Sequence, residues 1–261
     1  LLQTVTPQEI STKLHEVLSI FEISHDSSED PLAKKPTDEQ LNWACKVAVA
    51  QEKLIQEYNL DALTYYYHGA PGSEYENLQS GFILGHSLLT SHGIPCAGEG
   101  DLKTAIAMKI CDIIGAGGSF SEIVVVDYEN ESILLGHDGP FHLGISDGKP
   151  ILRGMGLYHG KQGSGISVET KVKTGPITTL NVTQLADGKL KLISSEGQST
   201  NFKIMKIGNT QTQIQFTDHP DVYMEKWFAE APTHHCALSI GHNASVFQKV
   251  GDLLHCKHVT L

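Results

Sequence analysis

Five side chains able to bind a metal or move a proton stand at predicted element ends: Glu99 in CAGEGDLKTA, Glu122 in GGSFSEIVVVDY, His137 in ESILLGHDGPFHLG, and the neighbours His234 and His235 in APTHHCALSIGHNASVF. Glu99 lies between two glycines, after a predicted short strand and before a helix that Asp101 can cap. Ligands of α/β sheets gather at the carboxyl ends of strands, and glycines allow close approach. Glu122 opens the apolar run Ile123–Val126, which reads as a strand buried on both faces, so a carboxylate at its mouth faces a cleft. His137 follows a strand-like run and a glycine. In an extended segment His234 and His235 point to opposite faces, so one is expected at a site and the other against packing or a substrate. Taken singly each has a plainer reading: a loop charge, a strand-edge charge, a polar strand terminus. Asp138 and His142 are weaker candidates, and Tyr158–Gly165 (YHGKQGSG) has the glycine content of a close-approach loop without a phosphate-loop pattern.

Together, two carboxylates and at least two imidazoles suit a divalent ion such as Mn²⁺, with waters or a substrate completing an octahedron. The set has no thiolate, and its members are too dispersed for local zinc spacings.

The elements that must position these residues follow two grammars. Up to Gly115–Gly118 (GAGG), helix and strand alternate. Thr37 and Gln40 form a capping-box pattern before Trp43, Val47, Ala50, Leu54 and Tyr58 at helical spacing, with Asn59 able to close the helix. DALTYYYHGAPG reads as a strand, SEYENLQSGFILGHSLLTSHG as one helix ending at Gly93, IPCAGEG as a short strand and LKTAIAMKICDII as a helix. Beyond GAGG, strand-like runs dominate: EIVVVDYE, ESILLG, PILRG, ISVETKVKTG, ITTLNVTQL, KLKLISSEG, FKIMKIG and TQIQF. Asp187-Gly188 marks a hairpin. Helices return near Asp221–Glu230 and Ala244–Leu254, and HCKHVTL reads as a last strand. The expected architecture is an α/β domain over 1–116, a parallel sheet with flanking helices, followed by a mainly antiparallel, barrel-like β domain over 117–261.

Composition narrows the function classes. The 261 residues carry a formal net charge of −11, which disfavours non-specific binding to nucleic acid or anionic membrane. No apolar run approaches the roughly 20 residues that span a bilayer. Five scattered cysteines without a CxxC suit reduced thiols and a cytoplasmic location. Histidine, 14 residues, is the outlier that makes a metal or acid–base site worth seeking.

The order GEGDLKTA, SFSE, LLGHDGP, THHCALSIGH resembles the L-arabinose isomerase family, of which L-fucose isomerase is a structural relative, from about Thr37 to the C-terminus. The resemblance implies an aldose–ketose isomerase that works through an enediol with Mn²⁺, in a homo-oligomer acting on a small sugar. It further implies that the ion's ligands are Glu99, Glu122, His137 and His235, with both glutamates sharing the proton transfer and His234 and Tyr67 toward the sugar. Ile123 stands where the arabinose enzymes usually have an aspartate. The resemblance further leads to the expectation that the family's N-terminal Rossmann-like domain, which supplies sugar contacts, is missing from this chain and that this stretch alone holds metal without turnover. A non-catalytic sugar-binding or assembly module derived from the same fold, and a metal hydrolase, are the competing readings.

Overall fold

The computed structural model describes residues 1–25, 33–66, 70, 72–155, 157–158, 161–162 and 165–261. Helix α1 (Pro7–Ile20) starts at a capping box between Thr6 and Glu9. Strands β1 (Glu22–Ile23) and β2 (Ala33–Lys34) lead to α2 (Asp38–Tyr58). The expected box is present there: the Gln40 amide donates to Thr37 Oγ1 at 3.1 Å and Thr37 N to Gln40 Oε1 at 2.9 Å. Asn59 ends the helix in the left-handed region, φ 49°.

Next come β3 (Leu63–Thr64), α3 (Glu74–Gln79), α4 (Phe82–Ser91), β4 (Cys96–Ala97) and α5 (Leu102–Ile113). The single helix expected over this stretch is two, broken at Ser80–Gly81. Packing imposes the break: a Cβ at Gly81 would lie 2.8 Å from Val47 Cγ2, and one at Gly165 would lie 1.6 Å from the Ser80 carbonyl oxygen. The parallel layer is small, the two-stranded pair β3–β4.

The second half contains β5 (Ser119–Asp127), β6 (Ser132–His137), β7 (Ile151–Met155), β8 (Leu157–Tyr158), β9 (Lys161–Gln162), β10 (Ile166–Glu169), β11 (Gly175–Gln184), β12 (Leu190–Ser199), β13 (Thr210–Phe216), α6 (Pro220–Ala229), β14 (His235–Ile240), α7 (Ala244–Leu253) and β15 (Lys257–Thr260). Six strands close an antiparallel barrel in the order β11–β14–β5–β6–β13–β12, with β12 returning to β11 through the Asp187-Gly188 hairpin. Gly188 has φ 85°, the conformation such a turn requires. β15 joins β12 in parallel from outside. Period-two alternation sends Ile177, Ile193, Ile214, Leu135 and Leu238 inward, where Tyr223 of α6 donates to Ser195 Oγ at 3.1 Å. The opposite faces of β11, β12 and β14 carry Leu180, Val182, Leu192 and Ala237, which pack against Ala105 and Met108 of α5 and Phe247 of α7.

Strand pairing crosses residue 117: β1 pairs in parallel with β7, β2 pairs antiparallel with it, and β10 lies on its other side. Behind this sheet the buried Arg153 donates to Glu169 Oε2 and to Ser24 Oγ, each at 2.7 Å, tying the chain after β1 to the second half.

Two further expectations change. Val124 and Val125 are 54% and 46% exposed, so β5 is not buried on both faces. Its register with β6 slips between Ile123 and Val125; at that bulge Val124 and Val125 face solvent, while Val126 packs against the core. FKIMKIG is not a strand. Gln211 accepts from Met205 N at 2.9 Å and donates to Met205 O at 2.7 Å, so a side chain takes the place of a partner strand.

Candidate metal centre

Register brings the distant candidates together. In the neighbouring strands β14, β5 and β6, His235 lies opposite Glu122 and Glu122 opposite Gly136, one residue before His137. Glu122 is therefore the fourth residue of its strand and not at its mouth. Glu99 reaches over from the loop joining β4 to α5. That loop lies directly on Phe120, since a Cβ at Gly98 would meet its ring at 2.8 Å. Phe120 is fully buried and supports both imidazoles, with ring centroids 4.6 Å from His137 and 4.3 Å from His235.

His137 Nε2 lies 3.7 Å from Glu99 Oε1 and 3.9 Å from Glu122 Oε1, and His235 Nε2 lies 3.6 Å from Glu99 Oε2. On the far side, His235 Nδ1 is 3.0 Å from Asp101 Oδ2 and His137 Nδ1 is 3.0 Å from Asp138 Oδ1. The Asp101–His235 contact is a hydrogen bond, and a carboxylate so placed behind an imidazole fixes ring orientation and raises ligand basicity. Asp138 faces His137 as a charge contact. Because an ionised Asp101 only accepts, His235 Nδ1 is the donor and Nε2 keeps its lone pair. That Nε2 is buried with no hydrogen-bond partner among the described residues. A buried acceptor left so costs about 1–3 kcal/mol, and a cation beside two carboxylates relieves it. The donor set of carboxylate oxygens and imidazoles, without thiolate, could hold a divalent metal ion.

The surroundings are strongly cation-seeking. Burial pushes His137 down, but Asp138, Glu99 and Glu122 outweigh it and hold the imidazole up at about 9. Burial would raise Asp101, yet His235 and the Thr104 amide and hydroxyl hold it down at about 2.

His234 does not face away. Its ring centroid is 3.8 Å from that of His235, and its Nε2 is 3.8 Å from Glu99 Oε2. β14 begins at His235, so strand alternation does not govern the residue before it. Glu99, His137 and His235 form one compact set of possible ligands, and Glu122, His234 and His235 a second. Beside them runs an open groove of about 710 Å³ bounded by Lys103, Trp227, Phe228 and Thr233.

The remaining candidates separate from this centre. His142 Nε2 faces Asp112 at 3.5 Å. Tyr65 is buried against Phe82 and His86, Tyr66 is exposed, and Tyr67 lies outside the described residues, as does part of the Tyr158–Gly165 loop. Asp101, foreseen only as a cap, and Asp138, foreseen only as a weaker candidate, join the centre. The adjacency in GEGD and HD was the available signal, but it does not reveal which nitrogen each carboxylate meets. The five cysteines are free thiols, and among the described residues no helix is long and apolar enough to cross a membrane. No protein-family model matches this chain, and no curated protein is found to match it.

Asp101 performs two tasks that substitution separates. Asp101→Ala is expected to remove the α5 cap, at a cost of about 1 kcal/mol, and to weaken Mn²⁺ binding by roughly 10–100-fold. Asp101→Asn keeps a good cap and should lose affinity with little change in melting temperature. Equal affinity in all three proteins would show that His235 needs no carboxylate behind it.

Glu99 occupies the left-handed region at φ 58°, followed by Gly100 at φ 71°. That conformation costs a side-chain-bearing residue about 1–2 kcal/mol. Glu99→Gly should therefore be more stable than Glu99→Ala by about 1 kcal/mol in urea unfolding. The reverse order would mean the loop is not held in this conformation.

Proposed function

We propose that this chain carries the metal centre of an aldose–ketose isomerase of the L-arabinose isomerase type. The observation behind this reading is convergence: Glu99, Glu122, His137 and His235 come from four separate segments, and their polar atoms meet around one buried, unpartnered imidazole nitrogen. When bound, the ion supplies a Lewis acid that holds the oxyanion developing as aldose and ketose interconvert. Glu99, His137 and His235 hold it. Glu122, the more exposed carboxylate and outside that compact set, moves the proton between the two adjacent sugar carbons. The groove beside His234, walled by Trp227 and Phe228, receives the rest of the sugar.

The test is calorimetric Mn²⁺ titration of the chain beside Glu99→Gln/His137→Ala, followed by an aldose screen with the metal-loaded protein. One equivalent bound, weakened at least about a hundredfold in the double variant, supports the centre. A folded chain that binds no Mn²⁺ removes the basis for the reading. Ester or amide hydrolysis by the loaded protein, with no ketose formed, would favour a water-activating hydrolase instead.

A further inference from the structure

We infer that Glu122 and His234 form, with His235, an outer receiving position through which a divalent ion reaches the inner set of Glu99, His137 and His235. This rests on the metal reading above. The two sets share a single atom of His235, since Nδ1 is engaged by Asp101 and only Nε2 remains. One imidazole lone pair binds one ion, so the sets are alternatives and not a two-ion centre. They differ sharply in access. The His234 and Glu122 side chains are 65% and 36% exposed, whereas those of Glu99, His137 and His235 are 23%, 3% and 1% exposed. The inner imidazoles are backed by Phe120, Asp101 and Asp138. The groove beside them is lined by Glu99, His234 and His235, so the more exposed outer pair lies on the solvent side of His137 and His235.

Glu99 links the two positions. Its Oε2 lies 3.8 Å from His234 Nε2 and 3.6 Å from His235 Nε2, while Oε1 faces His137. Glu122 and His234 would hold a hydrated cation on the exposed side, and Glu99 and His137 would replace them as ligands, with His235 Nε2 common to both positions. The adjacent histidines thus divide the work: His235 stays with the ion and His234 receives it.

The experiment is stopped-flow Mn²⁺ uptake, and release to a chromophoric chelator, by the chain and by His234→Ala. Capture of counter-ions at a cleft mouth raises on-rates tenfold or more. Both rates should therefore fall together by about tenfold, with Kd moving less than about twofold. A second arm uses His137→Gln, which should still bind one equivalent at reduced affinity and lose it when His234→Ala is added. The inference is overturned if His234→Ala weakens Kd with the uptake rate unchanged, which would make His234 a ligand of the final position. It is equally overturned if neither rate moves, or if the second His234→Ala substitution has no effect. Should the unsubstituted chain bind no Mn²⁺ at all, the metal reading fails first and this inference with it.

Discussion

Phe120→Ala is expected to unfold at about 3–5 kcal/mol lower stability than the parent and to lose Mn²⁺ affinity as well. Phe120 has no exposed surface, and it lies under Gly98, His137 and His235 at once. Deleting its ring removes buried apolar area and leaves a cavity where the two imidazoles lean. The cavity lets the rings turn, so the nitrogens aimed at Glu99 no longer converge. Phe247→Ala is the matched comparison. Phe247 is equally buried in the same cluster but belongs to α7, over β12, and makes no ring contact with either histidine. It should lose comparable stability in urea and leave calorimetric affinity unchanged. If both variants lose affinity alike, the centre depends on global stability and Phe120 has no local role.

Acid should destabilise this protein earlier than its carboxylates would, through His86. That imidazole is 3% exposed, between the rings of Tyr65 and Phe82 at 5.0 and 5.1 Å, and its Nδ1 has no hydrogen-bond partner among the described residues. Burial holds it down at about 3, well below its ordinary value of 6.5. The unfolded chain therefore binds a proton that the native protein refuses between those values. Stability falls as pH drops below about 6.5, by about 1.4 kcal/mol per pH unit, until the native group titrates. Asp101, held down at about 2, adds a loss in the same direction only below about pH 4. His86→Leu removes the refused proton. Between pH 7 and pH 4.5 the parent should lose about 3 kcal/mol more than the variant, read from urea midpoints. Parallel losses would place the acid sensitivity elsewhere.

What could be read from the chain alone was local. Thr37 with Gln40, Asn59 and Asp187-Gly188 each act over a few residues, and each behaves as its type dictates. The break at Ser80–Gly81 could not be read, because Val47 and Gly165 impose it from far along the chain. Nor could the fate of FKIMKIG, whose strand-like residues are denied a partner by one glutamine side chain. The site followed the same division. Glu99, Glu122, His137 and the pair His234–His235 stood out by type and by position near element ends, the choice of His235 within the pair came from the resemblance, and these residues do meet. That Asp101 backs His235 depends on α5 lying against β11 and β14, and that His234 stays beside Glu99 depends on where β14 begins. Neither is a property of a short stretch.

The left-handed backbone at Glu99 has a consequence for descent. Glutamate and glycine codons differ by one base, and glycine suits this loop better than glutamate does. Drift that ignores the carboxylate therefore runs downhill toward glycine, with no loss of folding to hold it back. On the proposed metal reading, a lineage that keeps glutamate between Gly98 and Gly100 does so against that gradient because the carboxylate is still in use. On the same reading, homologues carrying three consecutive glycines here would mark the branches in which the proposed metal centre has been retired.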